Sequence, residues 1–389
     1  MRFVFQLFFM LSFSSFALFA KAQTALHYKI AVFAPLFIDS AFDGNNYKAG
    51  NTIPKTILPG LEFYNGVMLA IDSLQAEKQS LEVNIYDTKS SKQNIYSIIN
   101  KQELNNVSLI IASFTNKAET KMLADYALSK KIPILSATYP NDAGITNNPY
   151  FILINSTLLT HCDELYKHLQ HFYSTGNIVF VRRKGSLEDV IQSVFIELNK
   201  NTPAIPLKMK NIELTDTFTN KQLLDNLDSN RQNIVVCASI NEAFGLRLVR
   251  TLAQSKNYSA IAIGMPTWDG LKELDNADFK GIEIVYSTPY NFNRTDKSAI
   301  QFNQSYRSKY NGRASDMAFK GFESMYHFSK LLIQNGNNFV NHLSDKTFKL
   351  FNDFDIRSVK NKTTGSTDYL ENRKLYFLKK SDGVIRSVN

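Results

Sequence analysis

Three short stretches place hydroxyl, amide, indole and carboxylate side chains shortly after apolar runs. Thr115 and Asn116 follow the apolar run Val107–Ala112. Ser136, Ala137 and Thr138 follow Ile132-Pro133-Ile134-Leu135, and Trp268 and Asp269 follow Ala260–Gly264. Hydroxyls and backbone N–H groups gathered at strand ends and helix starts suit a small carboxylate. The crevice beyond the carboxyl ends of strands in an open α/β sheet is where ligands usually sit. Each residue also has a purely structural reading. Ser136 and Thr138 are good turn or cap residues, and Thr115 is placed to cap a helix starting near Lys117. Trp268, the single tryptophan, either packs against the protein body or stacks on a ligand at a cleft mouth. Tyr286 and Tyr290 flank Pro289 and suit hinge or core packing as well as cleft contact. The run Arg182-Arg183-Lys184 reads as a solvated strand end or as a hold on an anionic group.

Chemistry beyond binding has little support. The sequence contains no G-x-S-x-G elbow, no H-E-x-x-H, no Walker A loop, and no G-x-G-x-x-G after the first strand. No enzyme and no cofactor are therefore expected. His161, His168 and His171 share one helical stretch, but no acid or cysteine completes a site, so no metal is expected. Two cysteines, Cys162 and Cys237, are too few for a disulfide framework; they read as two separate buried thiols or, in an oxidising compartment, as a bridge.

The chain has 389 residues, 44% of them apolar and 20% charged, which is the balance of a globular protein and not of a disordered one. Met1-Arg2, the apolar run Phe3–Ala20 and the sequence Ala20-Lys21-Ala22 read as a Sec-type leader; the rival is a retained membrane anchor, but the A-x-A ending favours cleavage, so residues 1–22 are expected to be removed. That removal takes away Arg2 and Lys21 and no acid, and the formal charge of +9 becomes +7. The remaining charge is spread over lysine-bearing segments without a basic arm, so no nucleic-acid partner is expected. No later stretch is apolar for long enough to span a bilayer.

Behind the candidate residues, strands and helices alternate. Tyr28–Pro35, Leu81–Tyr86, Val107–Ala112 and Ile132–Ser136 read as strands, separated by helical patterns over Leu61–Leu74, Lys92–Glu103 and Lys117–Ser129. The rhythm restarts after residue 140. Strands are predicted at Asn177–Val181, Lys208–Leu214, Asn233–Ala238, Ala260–Gly264 and Ile282–Ser287. Two helices follow, over Ser298–Tyr310 and Ala318–Asn335, and a closing hairpin turns at Ser381-Asp382-Gly383. Two α/β halves of the doubly wound type, with no flexible linker between them, imply a cleft.

Five segments in order carry a resemblance: IAVFAPL (Ile30–Leu36), GLEFYNGVMLAIDSL (Gly60–Leu74), LIIASFT (Leu109–Thr115), IPILSATYPNDAGITNNP (Ile132–Pro149) and AFKGFESMYHFSKLL (Ala318–Leu332). Together they resemble the type I periplasmic solute-binding proteins, the family of branched-chain amino-acid binding proteins and receptor ligand-binding regions, over roughly residues 28–389. The resemblance implies two doubly wound, Rossmann-like lobes joined by a hinge. Lobe 1 would span 28–140, completed by parts of 266–389. Lobe 2 would span 141–265, with a return segment near 282–290 and the C-terminal part. Crossings would fall near 136–142, near 264–268 and late in the chain. It implies ligand contacts at Thr115, Asn116, Ser136, Ala137 and Thr138 in lobe 1, and at Asn241, Trp268, Asp269 and Tyr286 in lobe 2. Asp269 would stand in for the acid that meets a ligand ammonium. Where family members place an aromatic after the first strand of lobe 2, this chain has Arg182-Arg183-Lys184.

The function implied is capture of a small polar solute, such as an amino acid or a peptide-like compound, outside the cytoplasm. The lobes would close on it and present it to an ABC permease. A monomeric periplasmic protein without stable membrane insertion is expected. The alternative is a sensory or structural protein-interaction homologue with no transport role.

Overall fold

The computed structural model describes residues 27–388, and the expected leader lies outside them. Fourteen strands build two main sheets. In chain order they are β1 (Tyr28–Ala34), β2 (Leu81–Asp87), β3 (Val107–Ala112), β4 (Ile134–Ser136), β5 (Phe151–Leu153), β6 (Asn177–Arg183) and β7 (Met209–Leu214), then β8 (Asn233–Ala238), β9 (Ala260–Gly264), β10 (Glu283–Thr288), β11 (Ile356–Lys360), β12 (Thr367–Asn372), β13 (Tyr376–Ser381) and β14 (Val384–Ser387). The first sheet has the order β11-β12-β5-β4-β3-β1-β2 and the second β14-β13-β10-β9-β8-β6-β7. Each is parallel except for antiparallel strands at one edge, β11 on the first sheet and β13 and β14 on the second.

Burial on both faces explains the unbroken apolar strands. Along β1, Ile30, Val32 and Ala34 face one core while Ala31 and Phe33 face the other. In β8, Val235 and Cys237 face one side, and Ile234, Val236 and Ala238 face the opposite side, which also holds Cys162. The two thiols are therefore separated by the sheet, free and buried, and burial pushes both up to about 12. The hairpin from β13 to β14 turns at Asp382 and Gly383, both with positive φ, as a two-residue turn between twisted strands requires.

The chain crosses between sheets at 155–157, 289–291 and 373–375. Crossings near 136–142 and 264–268 are corrected by strand pairing. Ser136 pairs with Leu153, so the segment after β4 returns to the same sheet as β5. Likewise β9 is followed by β10, its neighbour in the second sheet. Lobe 1 consequently extends past residue 140 to β5. A three-residue strand offers too little periodicity to be read in sequence, and polar residues hide β11 at the sheet edge and β12 beside it.

The crossings are tied to one another. Glu371, on β12, is buried and accepts hydrogen bonds from Thr157 N (2.7 Å), Thr157 Oγ1 (2.8 Å) and Thr160 Oγ1 (2.7 Å) at the start of helix α4 (Leu158–Tyr173) in lobe 2. Ser156 Oγ donates to Asn372 O (2.6 Å), and Asn372 Nδ2 donates to Ile154 O (3.3 Å). Replacing Glu371 by alanine leaves three buried donors without their acceptor. A loss of about 2–4 kcal/mol in urea unfolding is expected; a change below about 0.5 kcal/mol would show that the carboxylate is not the tie.

The middle crossing is held by a second buried acid, Glu323 on helix α9 (Asp316–Asn335). It accepts from Phe351 N, Asn352 N and Asn352 Nδ2, and Asn352 Oδ1 in turn accepts from Asn291 N at 2.7 Å. Burial raises the Glu323 carboxyl from its ordinary 4.5 to about 7, against the pull of these hydrogen bonds. A carboxyl raised on folding keeps its proton in the native state after the unfolded chain has lost it. Its contribution is therefore fully present below about pH 4.5 and declines as pH rises to about 7. Glu323→Gln is expected to flatten that part of the stability profile, read as the difference from wild type in denaturant midpoints at pH 5 and pH 8. An unchanged difference between the two pH values would refute the assignment.

Candidate functional site

The carboxyl ends of the strands in both sheets face the region between the lobes, and most polar groups there already have intramolecular partners. At the end of β2, Asp87 accepts from Leu36 N (2.9 Å), Phe37 N (3.1 Å), Ile38 N (2.8 Å) and Lys89 N (2.9 Å), so the loop after β1 is folded around a carboxylate of its own. In lobe 2, Arg182 pairs with Asp189 and Glu213, and Arg183 with Asp216 and Glu188. Glu188 is buried and takes the Ser239 hydroxyl at 2.6 Å. The two arginines of the basic run are thus engaged within their own lobe.

Most groups of the hydroxyl-bearing loops are similarly committed, the Ser136 hydroxyl excepted. Ser136 and Ala137 are fully buried. The Ser136 hydroxyl has no hydrogen-bond partner among the described residues, while Ala137 O accepts from Tyr290 Oη at 2.6 Å. Thr138 is half-buried, with its Oγ1 at 3.1 Å from Ser113 Oγ and donating to Phe114 O at 3.3 Å. Thr115 is exposed. Asn116 and Asn241 are helix caps: Asn116 accepts from Glu119 N (3.0 Å) at the start of α3 (Lys117–Lys130), and Asn241 from Phe244 N (2.8 Å) at the start of α7 (Glu242–Gln254).

Trp268 lies in the lobe 2 core and not at a cleft mouth. It is 1% exposed and packs over the glycines at 264 and 245, where a Cβ would approach the indole to 2.0 Å and 2.6 Å. The absence of side chains at these two positions creates the slot, a spatial coincidence that the local pattern Met265-Pro266-Thr267-Trp268 does not reveal.

Asp269 and Tyr286 do come together, on the wall of a cavity of about 580 Å³ beside the hinge. Lobe 2 contributes Asp269, Tyr286, Leu378 and Arg386; lobe 1 contributes Arg294 and Lys320, and Tyr290 lies at the crossing itself. The Asp269 carboxylate is oriented by the Thr288 hydroxyl (3.0 Å). Surrounding protein raises its carboxyl from the ordinary value, with Lys320 and Thr288 opposing. Lys320 is half-buried and sits 4.4 Å above the Tyr290 ring. Burial lowers its ammonium, and Asp269 and Asp316 oppose that shift. Arg294 pairs with Asp316 and lies over Phe319 at 4.0 Å. Lys320 and Arg294 were missed in the sequence because each sits in an ordinary amphipathic or loop context; the signal available was a lysine on the otherwise apolar face of AFKGF.

Comparison with solved structures places this architecture. A putative branched-chain amino acid ABC transporter protein from Rhodospirillum rubrum superposes with a TM-score of 0.67 at 13% identity, covering 94% of this chain and 100% of that one. The chain has the type I periplasmic-binding-protein fold. An ABC transporter substrate-binding protein from Desulfitobacterium hafniense, in complex with Leu, shares this fold with a TM-score of 0.58 at 14% identity, over 93% of this chain and 100% of that one. A leucine binding protein from Thermotoga maritima does so with a TM-score of 0.54 at 12% identity, over 93% and 98%. No protein-family profile matches the sequence, and no curated protein does. Among the described residues, no helix is long and apolar enough to cross a membrane.

Proposed function

We propose that this protein binds a small polar solute between its lobes, closes on it by bending at the three crossings, and hands it to an ABC-type permease outside the cytoplasm. The observation that carries the reading is the hinge cavity, walled by both lobes and lined with charged groups from each. Its volume falls within the about 300–1,000 Å³ of ordinary ligand pockets. The solved proteins of this fold are described as amino acid transport components, one of them complexed with Leu, which supports an amino-acid-like solute. In this reading Asp269 and Tyr286 contact the solute from lobe 2. Thr115, Asn116 and Thr138 line the lobe 1 rim, Ala137 acts through Tyr290, and Ser136 and Asn241 shape their loops. The protein works as a monomer without cofactor or catalysis.

A panel of amino acids, peptides, organic acids and sugars tests this by thermal melting. A solute at 100 times its dissociation constant is expected to add about 2.7 kcal/mol. The committed hydroxyls of Thr138 and Ser113 favour a second reading, a sensory or structural module that recognises another protein. Absence of any shift, in protein stripped of bound solute by unfolding and refolding, would favour that module over the first reading.

A further inference from the structure

We infer that the hinge cavity selects a small solute of net negative charge, an amino compound with two carboxylates, and that Lys320 is its selectivity residue; this rests on the solute-binding reading above. The charges of the cavity wall carry the argument. Three cations, Arg294, Lys320 and Arg386, face two carboxylates, Asp269 and Asp316. Arg294 and Asp316 neutralise each other. Lys320, Arg386 and Asp269 have no ion-pair partner within 4.0 Å among the described residues. Lys320 and Asp269 still attract each other at longer range, so the wall carries one net positive charge, and a solute with two carboxylates and one ammonium group balances it.

The geometry fits such a solute to a closing motion. Lys320 belongs to lobe 1, while Arg386 and Asp269 belong to lobe 2. One ligand carboxylate on Lys320 and a second on Arg386 would draw the lobes together, with the ammonium on Asp269 fixing orientation. Lys320 is held ready: its ammonium lies over the Tyr290 ring, and the Tyr290 hydroxyl is anchored on Ala137 O. Asp269 is held by Thr288. Groups fixed before the ligand arrives lose little freedom on binding, which favours affinity. A neutral solute would leave Lys320 or Arg386 without a counter-charge in the closed cavity, a cost that discriminates against it.

Isothermal titration with glutamate, aspartate, leucine and glutarate tests the inference on the full mature chain. Glutamate or aspartate is expected to bind at least about tenfold more tightly than leucine, the worth of one charge-assisted hydrogen bond. Lys320→Met is expected to weaken the acidic amino acid at least about tenfold, and Lys320→Arg to retain most of the affinity. Asp269→Asn is expected to weaken glutamate more than glutarate, which has no ammonium group. Ligand-free melting temperatures of the variants identify any folding defect. Leucine or an uncharged solute binding as tightly as glutamate, or an unchanged glutamate affinity in well-folded Lys320→Met, overturns the inference and leaves solute binding standing. Absence of binding by every member of the wider panel overturns the solute-binding reading itself.

Discussion

Gly66→Ala and Gly321→Ala are each expected to destabilise lobe 1 by about 3 kcal/mol or more, at the upper end of what overpacking costs. The two glycines mark the contact between helix α1 (Leu58–Ala76) and α9. A Cβ on Gly66 would lie 2.0 Å from Ala318 O, and a Cβ on Gly321 would lie 2.1 Å from Phe63 O. Both obstacles are backbone carbonyls, which no rotamer change can clear, so the helices must separate. Separation would open the core formed by Phe63, Val67, Met325 and Phe328. For a unit of this size the loss corresponds to a fall in melting temperature of roughly 6–12 °C. The double variant is expected to cost less than the sum, because the first methyl already makes room for the second. A melting point within about 1 °C of wild type in either single variant would sink the close-approach account.

Trp268→Ala is expected to cost about 3–5 kcal/mol, the range for emptying a large aromatic site. The indole fills the core of lobe 2 beside Phe244, Leu248 and Tyr286. Gly264→Ala is expected to be of similar severity, since its Cβ would lie 2.0–2.4 Å from three indole atoms. Because Trp268 is the only tryptophan, fluorescence reports this slot directly. In Gly264→Ala the emission should move to longer wavelength in the native state as the indole is pushed toward water. Denaturant unfolding followed by far-ultraviolet circular dichroism supplies the energies, and it works equally for the variant without tryptophan. Native-like emission and stability in Gly264→Ala would show that the ring has somewhere else to go. A ligand-facing tryptophan would instead give a variant of normal stability that fails only in binding, so the experiment separates the two readings that the sequence left open.

The strands that could be read in the sequence were those buried on both faces. Val107–Ala112 and Asn233–Ala238 are almost wholly apolar and end abruptly, and both have the same bounds in the structure. Long amphipathic helices were legible for a related reason, since one face must meet a sheet. Phe151–Leu153, Ile356–Lys360 and Thr367–Asn372 were not. The first is too short to show a period. Ile356–Lys360 is the edge strand, where exposed residues such as Arg357 and Ser358 replace the apolar signal, and Thr367–Asn372 beside it carries buried polar residues such as Glu371 and Asn372. That gap displaced the expected crossings, because the strand that closes lobe 1 was absent from the reading.

At the site, local sequence identified residues that end strands and begin helices, but it could not say which way they face. Asn116 and Asn241 turned out to spend their amide oxygens on helix caps. Lys320 has no local mark of function: its importance comes from Asp269, 51 positions earlier, which lines the same cavity from the other lobe. The alternation of apolar runs, the doubly wound class and the pair of lobes were thus properties of the sequence alone, because burial imposes a period that can be read one segment at a time. The crossing points, the slot for Trp268 and the charge balance of the hinge cavity were decided only by tertiary structure. Each depends on groups far apart in the chain meeting in space, and no local period records such a meeting.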